Sequence, residues 1–117
     1  MMIEYVKLPS DATVEVDFRT ADEVFIKQMS VKYAGTLLPQ HSHKYDHTTL
    51  VAAGSVEIWV DGESIGTFAA PHPVLIAKGT KHLFKTLEDN TVLYCIHNLT
   101  HGPVVEVLEE HQIIGDV

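Results

Sequence analysis

The stretch Gly35-Thr36-Leu37-Leu38-Pro39-Gln40-His41-Ser42-His43-Lys44-Tyr45-Asp46-His47, continued by Thr48-Thr49-Leu50-Val51-Ala52-Ala53-Gly54, places three histidines within seven residues between two glycines. On extended backbone His41 and His43, at i and i+2, point to the same face, so two imidazoles reach one point from adjacent pleats. After His43 the chain must turn for His47 to come back to that point. A fourth histidine, His82, would have to arrive from a neighbouring strand. Imidazole is the commonest metal ligand in proteins, and four neutral nitrogen donors suit zinc, iron, nickel, cobalt or copper and suit magnesium or calcium poorly. The expectation is one divalent transition metal per chain, iron, zinc or nickel, held by His41, His43, His47 and His82.

Outward from this stretch, period-two alternation dominates from residue 12 to residue 98. Val14, Val16 and Phe18 alternate with Glu15 and Asp17, and Met29, Val31 and Tyr33 with Ser30 and Lys32. Val56-Glu57-Ile58-Trp59-Val60 runs into Asp61-Gly62-Glu63, where Asp-Gly supplies the positive φ of a type I′ hairpin turn, and a return strand follows from Ser64 to Phe68. Further strands are expected at Val74 to Ile76, His82 to Thr86 and Thr91 to Asn98, with Leu87-Glu88-Asp89-Asn90 as a polar turn between the last two. This spacing is that of an antiparallel sandwich or barrel. Only the tail departs: Val104, Val105, Val107, Leu108 and His111 suit a short amphipathic C-terminal helix, and the valines suit a strand equally well.

At 117 residues the chain suits one compact domain, 1–117. No apolar run approaches the roughly 18 residues of a membrane span, and the first residues lack the pattern of a signal peptide, so a cytoplasmic address is expected. The single cysteine, Cys95, excludes a disulfide or a thiolate cluster within the chain. A formal net charge of -8 argues against nucleic acid or an anionic membrane as partner and leaves a small-molecule substrate or ligand.

The register Gly35, His41-x-His43, His47, Gly54 resembles the first motif of the cupin superfamily, with His47 in place of the usual glutamate. Gly79-Thr80-Lys81-His82 resembles the core of the second motif, which spans 71–86; Pro71, Ala77 and Thr86 stand where a glycine, a proline and an asparagine are usual. The resemblance covers roughly residues 29 to 98. It implies an all-β, six- to eight-stranded jelly-roll barrel with the metal inside an open mouth, and a homodimer.

Exchanging a carboxylate for neutral imidazole raises the charge of a divalent site from +1 to +2, which favours anionic or enolate-forming ligands and leaves about two octahedral positions open. The leading expectation is therefore a dioxygenase-like enzyme acting on a small anionic or dicarbonyl metabolite. A redox-free isomerase, cyclase or lyase is the alternative, and a non-catalytic ligand-binding cupin is the alternative of another kind. Cys95 and His97 share one face of their strand and Tyr94 and Ile96 the other, so only one pair can face inward. Tyr45 lies between two candidate ligands. Trp59 reads as a core or dimer-interface residue, His72 between two prolines as part of a surface turn, and His101 and His111 as solvated tail residues.

Overall fold

The structure, a computed structural model, describes residues 6–7, 14–40 and 46–98. These form ten strands: β1 (Val6–Lys7), β2 (Val14–Ala21), β3 (Val24–Val31), β4 (Leu37–Gln40), β5 (His47–Ala53), β6 (Ser55–Val60), β7 (Glu63–Ala69), β8 (His72–Ile76), β9 (His82–Thr86) and β10 (Thr91–Asn98). A six-stranded sheet runs β1-β2-β3-β10-β5-β8, and a four-stranded sheet runs β4-β9-β6-β7; every pairing is antiparallel. Ten strands exceed the six to eight expected, because β1, β2 and most of β3 precede residue 29, where the motif-bearing region begins. Among the described residues no helix is long and apolar enough to cross a membrane. The expected C-terminal helix, with His101 and His111, lies outside them.

Alternation decides which face each strand turns inward. Val16, Phe18, Phe25, Met29, Val31, Leu38, Val51, Val56, Ile58, Phe84, Leu93 and Cys95 form one buried cluster between the sheets. Removing each large apolar side chain from water contributes about 1.5–3 kcal/mol. The Asp61-Gly62 turn has φ 49° and 85°, the two positive values a type I′ hairpin needs. Two local expectations change. The alternation at Tyr33 does not continue β3, which ends at Val31; the chain bends there and Tyr33 is exposed. His72 belongs to strand β8 rather than to a turn, though it stays exposed, its ring centre 5.0 Å from that of Phe68.

Two of the motif positions join the sheets. Thr86, buried on β9, donates its hydroxyl to the Tyr33 carbonyl at 2.8 Å and accepts from the Thr36 amide at 3.0 Å. Its own carbonyl takes the Gly35 amide at 2.6 Å. The residue in the usual asparagine place thus ties the start of the first motif to the end of the second. Gly54, at φ 78°, presses on β10: a Cβ there would run into the Thr91 hydroxyl and stand 3.0 Å from the Thr91 Cα.

Candidate metal centre

One end of the space between the sheets is apolar and the other is polar. Within the six-stranded sheet Phe18, Lys27, Cys95, Thr49 and Val74 form one continuous row of directly paired residues across β2, β3, β10, β5 and β8. On one side lies the apolar row of Val16, Met29, Leu93 and Val51. On the other lie His97, paired with Phe25 on β3, and His47, paired with Ile76 on β8. The opposite sheet repeats this gradient: Leu38, Phe84 and Ile58 pair on the apolar side, and Gln40, His82 and Val60 on the polar side.

His47 and His82 therefore meet from opposite sheets, with ring centres 5.3 Å apart. Two backbone ties hold the approach. Asp46 accepts the Lys78 amide at 2.8 Å, linking the residue before His47 to the turn before His82, and Asp61 accepts the Lys81 amide at 2.9 Å. His97 stacks on Phe25 with centres 5.0 Å apart. Burial pushes the His82 pKa from 6.5 to about 4; the Thr80 backbone opposes that shift and the nearby charge of Lys27 adds to it. His82 is thus a neutral imidazole at pH 7, the form that offers a nitrogen lone pair.

The fit of this pair to an ion can be tested on the ring separation. An ion bound at about 2.1 Å from a ring nitrogen stands about 3.2 Å from the ring centre, so two imidazoles sharing it at right or tetrahedral angles have centres about 4.5–5.3 Å apart. The observed 5.3 Å lies at the upper end of that range, and the same separation is found between His82 and Phe84. Of the four expected ligands, His41 and His43 lie outside the described residues, as does Tyr45. Among the described residues no group of three or more histidine, cysteine or acidic side chains is gathered for an ion.

The structure also sorts the remaining candidates. Cys95 and His97 face the interior, and Tyr94 and Ile96 face out, where they line a shallow groove with Arg19, Ile26 and Gln28. Cys95 is a core residue whose Sγ lies 3.8 Å from the Thr49 hydroxyl. Trp59 is half-buried on the outer face of β6, alternating with buried Ile58, which removes the core reading. Among the interior polar residues not singled out from the sequence are Lys27, and Gln40, whose Oε1 accepts from the Lys27 Nζ at 2.9 Å. A signal for Lys27 did exist, since it interrupts the inward alternation of Phe25 and Met29.

Two antiparallel sheets closed on a histidine-bearing interior define a cupin-type barrel, and solved structures similar to this chain include proteins of that fold. One is KdgF from Halomonas sp., 13% identical with a TM-score of 0.66, the match covering 82% of this chain and 92% of that one. Another is an RmlC-like cupin family protein with a double-stranded β-helix fold from Methanocaldococcus jannaschii, 17% identical with a TM-score of 0.62, covering 84% and 93%. A third is hydroxypropylphosphonic acid epoxidase from S. wedmorenis, 8% identical with a TM-score of 0.64, covering 83% of this chain and 58% of that one. The chain has the cupin fold. No family model matches the sequence, and no curated protein matches it.

Proposed function

We propose that this small cupin is a metal-dependent enzyme, dioxygenase-like in class, acting on a small anionic or dicarbonyl metabolite, with His47 and His82 holding the ion together with His41 and His43. The observation that carries the reading is the meeting of His47 and His82, both buried, across the two sheets at 5.3 Å. A bound ion would polarise and acidify a substrate through its oxygens and, if it is iron, add dioxygen chemistry.

The chain's own residues do the rest. Burial keeps His82 neutral, and Asp46 and Asp61 hold the segments that carry His47 and His82 in register. The apolar rows of Met29, Leu93, Val51, Leu38, Phe84 and Ile58 exclude water from below the site. A structural neighbour named hydroxypropylphosphonic acid epoxidase is consistent with a barrel of this kind housing chemistry on a small acid.

The test is elemental analysis of untagged protein purified without added metal, beside His47→Ala and His82→Ala, followed by oxygen-uptake screens. Stoichiometric iron lost in both variants, with substrate-dependent oxygen consumption, is the expected result. Stoichiometric zinc or nickel without oxygen uptake would replace the oxygenase by the redox-free isomerase, cyclase or lyase. No metal in the wild type would overturn the proposal.

A further inference from the structure

Exposed apolar surface gathers on the outer face of the four-stranded sheet. Of the five exposed large apolar side chains among the described residues, Leu37 at 55% and Ile65 at 45% belong to this sheet. Tyr33 precedes β4 and Leu87 follows β9, while the fifth, Leu75, lies on the other sheet. Direct pairing carries the band across the sheet: Pro39, Leu83 and Trp59 form one row over β4, β9 and β6, each next to a buried residue and so facing out. Ile65 is the residue inserted where the β6–β7 register shifts beside Trp59. Contiguous apolar exposure on this scale marks an interaction surface.

The adjoining row of the same face decides what fits it. Leu37, Lys85, Glu57 and Thr67 pair directly across the four strands. Lys85 and Glu57 are Cα partners without joining each other: Glu57 accepts the Ser64 hydroxyl at 2.7 Å, and the Lys85 ammonium has no hydrogen-bond or ion-pair partner among the described residues. In a chain of net charge -8, the charged residues of these strands are Glu57, Glu63 and Lys85, so opposite signs stand side by side at the centre of the face. A uniformly acidic or basic partner would meet one of the two with like charge. A second copy does not. A two-fold axis between β6 and β9, parallel to both, sets Lys85 on the partner's Glu57 and Trp59 on the partner's Leu83, and each contact occurs twice.

We infer that two copies of the chain associate through this face, sheet on sheet, about a two-fold axis between β6 and β9. Sheets packed in this way lie about 10 Å apart, close enough for the two apolar rows to interdigitate. The six residues of β6 at about 3.3 Å each and four strands at about 4.8 Å make a face of roughly 20 by 19 Å, about 400 Å² in projection per copy. Counted over both copies and with side-chain relief, this approaches the roughly 1,200 Å² at which specific interfaces begin, the size of a reversible rather than an obligate dimer.

The experiment is sedimentation of the full chain over a range of micromolar concentrations, for wild type, Lys85→Glu, Glu57→Lys and an equimolar mixture of the two variants. The wild type is expected to dimerise reversibly. Each variant alone opposes like charges twice across the axis and is expected to lose on the order of 100-fold in affinity. In the mixture one copy presents two carboxylates and the other two ammonium groups, so a heterodimer of near wild-type affinity is expected. Such a rescue cannot come from pairing within one sheet, which mixing leaves unchanged.

A wild type that sediments as a monomer throughout overturns the inference, whether a different protein or residues 99–117 of this chain then cover the face. A dimer indifferent to both reversals overturns it equally, as does a mixture that associates no more tightly than its components. Both charged positions are half-buried on the outer face, so the variants should keep the fold, as circular dichroism will report. If they do not, Leu37→Lys and Ile65→Lys, at exposed positions, carry the test. Loss of the dimer in both sustains the inference, and wild-type affinity in both ends it.

Discussion

Acidifying the metal-free protein should weaken it through His82. Its folded pKa of about 4 lies below the ordinary 6.5, so between these values the unfolded chain holds a proton that the folded chain refuses. Stability from this group is therefore whole above pH 6.5 and is lost as pH falls toward 4. With these two values the loss between pH 7 and pH 5 is about 2 kcal/mol, which in a domain of this size lowers the melting temperature by about 6–10 °C. The assay is urea unfolding in a chelator at pH 7 and pH 5, for wild type and for His82→Gln, which has no imidazole at this position. The wild type should lose about 2 kcal/mol more than the variant over that interval. Equal losses in the two proteins would refute the reasoning, because they would mean that burial between β9 and the facing sheet does not hold His82 neutral.

Two further outcomes follow from backbone and motif positions. Gly54→Ala should cost about 2 kcal/mol or more, since alanine must take a φ of 78° and press on Thr91; the double variant with Thr91→Ala should recover part of this, read by urea unfolding. Thr86→Val keeps the shape but strips the hydroxyl that serves Tyr33 and Thr36, and should cost about 1–3 kcal/mol; an unchanged unfolding midpoint would show that those bonds do not hold the motifs together.

Much of this architecture is legible in the residues themselves. The alternation of Val14, Val16 and Phe18, and that of Val56, Ile58 and Val60, reports strands because the side-chain period of extended backbone is two. Asp61-Gly62 announces its hairpin because few residue pairs tolerate two positive φ values. The bracketed histidines stand out because few side chains can serve as ligands, and of the four the structure brings His47 and His82 together. The faces of Cys95 and His97 were paired correctly, but alternation does not say which face turns inward.

What sequence by itself determined is thus the class of element, the turn chemistry and the residue types on hand for a metal; these are local properties, carried by neighbours along the chain. What only the tertiary structure decided is partnership. The insertion of β10 between β3 and β5, the pairing of Gln40 with His82, and the reach of Lys27 across the barrel all join residues far apart in sequence. A period-two pattern specifies a face and never a neighbour, so the charge beside the histidines emerges only when the two sheets close upon each other.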